Sequence, residues 1–280
     1  MTAVAKGENN RRRMYRQIAA VVVIAILGVA VTAGAVTGPV GRVSTGRVYG
    51  AEVALGNGTA RVYIDLLEGI PQEIGVALTE GALTNLPDDH MDGGIQMPDG
   101  HRMFEQILPM PSHNPTPYKH VLLGWNPGGH EPAGVFDKPH FDFHFYTITN
   151  EERMAIDPTD AQFEVKANRH PEETHAPGNY IATPGAVPFM GAHWISALAP
   201  EIHGEPFVQT FLFGSWDGRM IFAEPMITKA FLDSRPDFTA ELPVPARHAE
   251  PGYYPSRYRI RWDENAKEYR VALSGLQRSN

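Results

Sequence analysis

The segment Pro139–Tyr146 (PHFDFHFY) places groups that can bind a metal at every second position. Successive side chains of a β-strand point to opposite faces, so His140, Asp142 and His144 share one face. Three phenylalanines occupy the other face and favour a buried core there. Imidazole nitrogens and a carboxylate are ligands for a divalent transition metal. The segment therefore predicts a strand that forms one wall of a metal site.

Strand geometry limits how these residues can share one ion. Residues four apart along a strand are separated by about 13 Å between Cα atoms, whereas a zinc–nitrogen bond measures about 2.0–2.1 Å. His140 and His144 can therefore bind one ion only if they lean together or a bulge intervenes. We expect one or two ligands from this strand and the others from elsewhere. Asp142 has an alternative role, in which it accepts a ring N–H and orients a histidine.

Two other segments offer the missing ligands. Gly129–Pro132 (GHEP) is a predicted turn with an imidazole beside a carboxylate, and Met190–Trp194 (MGAHW) puts a histidine on or beside a later strand. The candidate metal ligands are therefore His130, His140, Asp142, His144 and His193. Glu131 is the candidate catalytic base, if it is not itself a ligand. Zn²⁺ suits this set best and Cu²⁺ second, while a hydrogen-bond network without metal stays open.

The composition restricts the classes of function. The chain has 280 residues, a formal net charge of −8 and no cysteine. Any metal must therefore be held by His, carboxylate or Met, and a cysteine nucleophile is excluded. The acidic balance argues against nucleic acid and anionic lipid as partners, since both need clustered positive charge. Neither GxSxG nor HExxH occurs in the sequence, which removes two common hydrolase motifs.

Residues 1–35 have the features of an export segment. Basic residues, among them Arg11–Arg13, precede the apolar run Ile18–Val31, which has 14 residues. That length favours a signal peptide, with a cleavage site at Ala33–Ala35, and an uncleaved membrane anchor stays open. Cleavage would remove five basic residues and one acid, which changes the net charge to −12. We expect an extracytoplasmic protein that contacts the membrane only through this segment.

The rest of the chain predicts a short linker, residues 36–47, and a single mainly-β domain, residues 48–280. The 27 glycines and 24 prolines are spread through the chain. About ten predicted strands against two or three short helices indicate an antiparallel sandwich or barrel. Gly56–Gly58 predicts a hairpin turn, and Tyr258–Trp262 is expected to pair with Glu268–Leu273.

Four segments carry a resemblance to a known family: Gly124–Tyr146, Val187–Trp194, Phe211–Thr228 and Arg257–Leu273. They resemble exported bacterial and archaeal proteins of unknown function, represented structurally by a Thermus protein. The similarity extends from about Val48 to Leu273. It implies an exported, mostly β fold with a His-rich centre, and it implies no particular reaction.

Two functions are compatible with the predicted site. The first is a cell-envelope enzyme, a metal-dependent hydrolase or lyase, in which an ion with an open position activates water. The second is a non-catalytic envelope protein that binds a metal or uses the polar cluster as a structural support, with a homo-oligomer left open. Ligand count separates them, because four protein ligands favour a structural ion and three with a water favour catalysis.

Overall fold

The computed structural model describes residues 45–96 and 100–279, and antiparallel β-strands dominate it. The strands are β1 (Gly46–Tyr49), β2 (Val53–Leu55), β3 (Gly58–Leu67), β4 (Ile70–Thr79), β5 (Ile95–Gln96), β6 (Arg102–Pro109), β7 (His120–Asn126), β8 (His140–Tyr146), β9 (Tyr180–Ala182), β10 (Ala192–Ser196), β11 (Gln209–Trp216), β12 (Arg219–Thr228), β13 (Asp237–Glu241), β14 (Gly252–Tyr254), β15 (Arg257–Asp263), β16 (Glu268–Ser274) and β17 (Gln277–Ser279). The α-helices are α1 (Asn150–Met154), α2 (Phe163–Ala167) and α3 (Lys229–Asp233), and the 3₁₀ turns are Glu80–Leu83, Glu173–His175 and Pro200–His203. The predicted mainly-β class with short helices is confirmed.

Two large sheets pack face to face. The first has the order β1-β3-β4-β16-β15-β13, with β2 also paired to β3, and the second has the order β5-β6-β7-β8-β12-β11-β10-β9. A separate ribbon joins β14 and β17. The main core lies between the sheets, where Val62 and Val76 of the first share one apolar cluster with Leu123 and Phe143 of the second. Of the two predicted architectures, the chain therefore forms the sandwich.

Strand β8 lies in the middle of the second sheet, between β7 and β12. It covers the predicted segment Pro139–Tyr146 except for its first residue, and each residue of β8 is buried. Phe141, Phe143 and Phe145 belong to the main core and are 0% exposed. Burial of each such side chain contributes roughly 1.5–3 kcal/mol, so the three phenylalanines fix which face of β8 points inward. The alternate residues of β8 must then face the other side of the sheet.

That other side is covered by the connections that follow β7, β8, β9 and β10. One apolar cluster on it contains Ile156, Phe163, Met190 and Phe222, and a smaller one contains Phe136, Phe207 and Met226. Helix α1 starts this cover with a capping box in which Thr149 and Glu152 bond reciprocally, an arrangement that fixes a helix start. The polar residues of β8 are consequently enclosed in a buried layer.

The described residues include most of the predicted domain, residues 48–280, but little of the two predicted segments before it. The predicted export segment, residues 1–35, lies outside them, as does most of the predicted linker, residues 36–47. Strand β1 begins inside that linker at Gly46 and pairs with β3. Within residues 45–96 and 100–279, no helix is long and apolar enough to cross a membrane.

Candidate metal centre

Six side chains on the covered face of the second sheet form two groups. The first, called the Asp142 triad, consists of His130, His140 and Asp142. The second, called the Glu224 triad, consists of His144, His193 and Glu224. In each triad, one nitrogen or oxygen atom from every residue lies within 4.8 Å of the others. Both triads have the residue types and the spacing of a metal site.

In the Asp142 triad, the carboxylate lies between two imidazoles. Asp142 Oδ1 is 3.2 Å from His140 Nε2, and Asp142 Oδ2 is 3.5 Å from His130 Nε2. The side-chain amide of Asn126 donates to Asp142 Oδ2 at 2.7 Å. This bond is set by the pairing of β7 with β8, which places Asn126 opposite His140 and Gly124 opposite Asp142. Strand register therefore orients the carboxylate.

Backbone carbonyls fix the tautomers of both histidines in this triad. His140 Nδ1 lies 2.7 Å from the Lys138 carbonyl oxygen, and His130 Nδ1 lies 2.7 Å from that of Glu131. A carbonyl only accepts, so each Nδ1 carries a proton, and the Nε2 atom that faces Asp142 either carries a second proton or has a free lone pair. Nε2 of His140 also lies 3.3 Å from the side-chain amide nitrogen of Asn126. Lone pairs that face a carboxylate repel it unless a cation lies between them. A proton or a metal ion can be that cation, and metal-bound histidines are commonly held in this way.

The Glu224 triad joins β8, β10 and β12. His144 Nε2 is 3.1 Å from Glu224 Oε1, and His193 Nε2 is 3.5 Å from Glu224 Oε2. Within the described residues, neither ring nitrogen of His144 has a hydrogen-bond partner, and neither has Glu224 Oε2. A buried polar group left without a partner costs about 1–3 kcal/mol. Three such atoms in one triad are positions for an ordered water or a bound ligand.

The separations in both triads distinguish a shared ion from direct ion pairs. Charge-assisted N–H···O bonds are about 2.7–2.9 Å long. The four nitrogen–oxygen distances here are 3.1, 3.2, 3.5 and 3.5 Å. Ligand atoms bound at about 2.0–2.2 Å to a tetrahedral ion lie about 3.3–3.6 Å from one another. The two separations of 3.5 Å fit ligands around an ion, whereas those of 3.1 and 3.2 Å lie between the two ranges.

Burial sets the protonation of the Glu224 triad. It lowers the pKa of His144 to about 3 and that of His193 to about 4. Both rings are therefore neutral at pH 7, which is the form that binds a metal. Burial also raises the pKa of Glu224 well above its usual value, and the charge of Asp142 adds to this effect. Without a bound cation, burial therefore favours the protonated form of Glu224.

The pKa of the Asp142 carboxyl is shifted in the opposite direction to that of Glu224. Burial alone would raise its pKa, but the charge of His140 and hydrogen bonds from His130 and His140 hold that pKa well below the usual range. The pKa values of two carboxyls in one buried layer are therefore shifted in opposite directions. This is the expected result when like charges share a site and only one of them has cationic neighbours.

All five predicted ligands lie in the two triads, although they do not form a single group. His140 and His144 belong to different triads, in agreement with the limit that strand rise places on sharing an ion. Glu131, the predicted catalytic base, is exposed and contacts His130 through its carbonyl oxygen. Its role as a base stays a prediction.

Glu224 and Asn126 are absent from the predicted set. Glu224 lies in strand β12 between Phe222 and Met226, and all three residues are buried. A single acid in the otherwise apolar run Met220–Ile227 is a signal that could have identified it, since acids are almost never fully buried without a partner. Asn126 is the last residue of β7, and its sequence context carries no comparable signal.

The resemblance of four sequence segments, among them Val187–Trp194, to a known family implied an exported protein with a mostly β fold and a His-rich centre. The described residues contain such a fold, and two histidine–carboxylate triads lie at its covered face. Comparisons of the chain with protein-family models, with curated proteins and with solved structures found no match, so membership of that family stays a prediction.

Proposed function

We propose that the protein is an exported, metal-dependent hydrolase of the cell envelope that binds two divalent ions, one in each triad, with Zn²⁺ preferred. The observation that carries this proposal is a set of three buried atoms that have no hydrogen-bond partner among the described residues: both ring nitrogens of His144 and Oε2 of Glu224. The tautomers that carbonyls impose on His130 and His140 support it independently. A pair of ions would satisfy both groups.

Each triad supplies three protein ligands, which supports a catalytic ion over a structural one. Structural zinc sites use four protein ligands, whereas catalytic sites use three and keep one position for water or substrate. An ion of this kind lowers the pKa of bound water towards 7 and polarises a carbonyl or phosphoryl group. The side chains of His130 and His193 are 20% and 15% exposed. These two residues give solvent access to an otherwise buried centre.

Export is supported by the residue pattern of the N-terminal segment, with basic residues before an apolar run and a small-residue cleavage site. We therefore place the protein outside the cytoplasm, with the membrane contacted through that segment alone. Fractionation of cells that express the full chain tests this part. Recovery with the cytoplasmic proteins would contradict it.

One observation favours a second candidate, a non-catalytic envelope protein whose ions support the fold. His144 and Glu224 are only 1% and 2% exposed, and an ion between them would cross-link β8 to β12 and, through His193, to β10. Such an ion would stabilise the fold without needing an open position. A homo-oligomer built on this fold belongs to the same alternative.

Metal analysis of the full chain, purified without a His tag and replenished with Zn²⁺, tests the proposal. We expect two ions per chain, and substoichiometric metal would contradict the proposal. Replacement of Zn²⁺ by Co²⁺ then gives visible bands that change on addition of azide if a coordination position is open. A cobalt spectrum insensitive to azide would favour the structural alternative.

Hydrolysis of a panel of p-nitrophenyl esters and phosphates tests the catalytic part. Glu224→Gln keeps the shape of the side chain and removes the anionic ligand, so we expect any activity to fall by more than about tenfold. Asn265→Ala, an exposed turn position, is the matched control. Equal activity in the two variants would contradict a role of the Glu224 triad in the reaction.

A further inference from the structure

A cavity of about 260 Å³ lies beside the turn between β11 and β12, and none of the six triad residues lines it. Its inner wall includes Tyr118, Phe213 and Ala223, which belong to the main core or pack against it. Its rim includes Ala249 and Glu250, which are exposed. The cavity therefore extends from the protein surface to the core between the two sheets.

Residues 243–255 form one side of this cavity as a loop whose ends are held together. The N–H of Leu242 donates to the carbonyl oxygen of Ser256 at 2.7 Å and closes the loop. The N–H of Arg247 donates to the carbonyl oxygen of Thr174 at 2.9 Å, which joins the loop to a neighbouring wall. Compact loops with closed ends are frequently functional. Four prolines that limit backbone freedom also line the cavity: Pro177, Pro243, Pro245 and Pro255. The cavity is therefore preformed, which lowers the entropy cost of binding.

The volume of the cavity limits the size of its ligand. An apolar cavity of about 150 Å³ can hold benzene, and the cavity here is less than twice as large. One molecule of about two fused rings fits such a space. Aromatic side chains favour a planar, mostly apolar ligand, and four of them line the cavity: Tyr118, Phe213, Phe222 and Tyr254.

Several polar groups around the cavity already have partners. The hydroxyl of Tyr254 donates to the carbonyl oxygen of Glu250 at 2.9 Å, and that of Thr147 donates to the carbonyl oxygen of Ile221 at 3.2 Å. The guanidinium of Arg219 pairs with the carboxylate of Glu250 at 3.1 Å. These groups gain little from a ligand, because their hydrogen bonds are already made.

The imidazole of His248 is the polar group that a ligand can satisfy. Its ring stacks on that of Tyr254 with the centroids 3.6 Å apart and 3° between the planes, which fixes its orientation. Within residues 45–96 and 100–279 the ring forms no hydrogen bond. Burial lowers the pKa of His248 to about 4, and the charge of His175 adds to this effect. The ring is therefore neutral at pH 7 and offers one N–H donor and one nitrogen acceptor.

We propose that this cavity binds one uncharged molecule of about two fused rings, whose polar group forms a hydrogen bond with His248. The site does not involve the ions of the two triads. Glu172 and Glu250 line the cavity, and Arg219, which also lines it, is already paired with Glu250. An anionic ligand is therefore disfavoured.

Equilibrium dialysis of the full chain with 2-naphthol, which has two fused rings and one hydroxyl, tests the proposal. We expect one molecule bound per chain. Ala249→Trp places a large side chain at the rim and should raise the Kd for 2-naphthol by more than about tenfold. Ala246→Trp is the matched control, because Ala246 is exposed in the same loop and does not line the cavity. Absence of saturable binding by the parent chain, or equal binding by the two variants, overturns the proposal.

His248→Phe tests the hydrogen bond separately. It keeps a ring on Tyr254 and removes both nitrogens, so we expect the Kd for 2-naphthol to rise by about fivefold. Naphthalene has no hydroxyl, and its affinity should stay the same. An equal change for both probes, or no change for 2-naphthol, overturns the role of His248. The anion 2-naphthoate should bind the parent more weakly than 2-naphthol does, and tighter binding overturns the assignment of an uncharged ligand.

Discussion

His144 Nε2 lies 3.1 Å from Glu224 Oε1, yet the two atoms form no hydrogen bond. The residues belong to the adjacent strands β8 and β12 and are almost completely buried. Burial favours the neutral form of each group. Among the residues that the structure describes, the fold therefore holds two polar side chains together while the ring nitrogens of His144 and Oε2 of Glu224 have no hydrogen-bond partner. Such an arrangement is typical of a functional site, where a ligand supplies the missing interaction.

Removal of one ligand from each triad should show that the triads bind separate ions. We expect His144→Ala and His140→Ala each to lower the metal content from two ions per chain to one, because each substitution disrupts only its own triad. Elemental analysis after dialysis against metal-free buffer measures this. His90→Ala, at an exposed position, should keep both ions. Loss of both ions from either variant would indicate one shared site and contradict the assignment.

Replacement of His144 by phenylalanine should stabilise the metal-free fold although it removes a metal ligand. The ring lies 5.0 Å from that of Phe222 and 5.8 Å from that of Tyr146, measured between centroids. An apolar ring keeps these contacts and removes two nitrogens without partners, so His144→Phe should raise the free energy of unfolding of the metal-free protein by about 1–2 kcal/mol. Denaturant unfolding in EDTA measures the change.

Phe143→Ala is the contrasting control for that variant, since Phe143 points to the opposite face of β8. It should lower the free energy of unfolding by about 3–5 kcal/mol, because it opens a cavity in the main core. A folded Phe143→Ala protein should still bind two ions. If His144→Phe were as destabilising as Phe143→Ala, the view of His144 as a costly functional residue would be contradicted.

The alternation of phenylalanine with polar residues made the central strand β8 predictable from the sequence. Strand β8 and its two faces follow from PHFDFHFY, because three phenylalanines at every second position can only be buried together. The hairpin turn at Gly56–Gly58 and the pairing of Tyr258–Trp262 with β16 are also confirmed. In these elements the partners are close in sequence, so turn chemistry and periodicity are sufficient to define them.

The division of the site into two triads could not be predicted in the same way. It depends on which strands flank β8, and β12 pairs with β8 although Asp142 and its partner Met226 are 84 positions apart in the sequence. Strand order of this kind is set by packing of the whole sheet. Glu224 becomes a ligand candidate only when β12 lies beside His144, and Asn126 reaches Asp142 only through the β7–β8 register.

The amide of Asn126 should contribute to metal affinity without binding the ion. It donates to Asp142 Oδ2 at 2.7 Å and so orients the carboxylate. Loss of an orienting partner of this kind typically costs 10–100-fold in metal affinity. We expect Asn126→Ala to weaken the ion of the Asp142 triad by about that factor and to leave the other ion unchanged. Competition with a chelator of known affinity measures both ions, and equal affinities in Asn126→Ala and the parent would contradict the role of Asn126.

His120 should make the stability of the metal-free protein sensitive to acid. Its side chain is buried and stacks on Tyr146, with ring centroids 5.0 Å apart. Burial lowers its pKa to about 4, and the charge of Arg153 adds to this effect. The unfolded chain, with a histidine pKa of about 6.5, therefore binds more protons between pH 6.5 and pH 4. Stability should fall as the pH decreases through this window, by up to roughly 3 kcal/mol from this residue.

His120→Phe tests this directly, because it keeps the stacking and removes the titrating group. A backbone hydrogen bond with Ile148 acts against this pKa shift, and His120→Phe removes that bond together with the titrating group. Denaturant unfolding in EDTA at pH 7, 5.5 and 4 should show a smaller loss of stability in His120→Phe than in the parent. Some loss should remain, since burial also lowers the pKa values of His144 and His193. Parallel pH profiles for the parent and His120→Phe, with exposed His90→Ala as control, would show that His120 is not the acid-sensitive group.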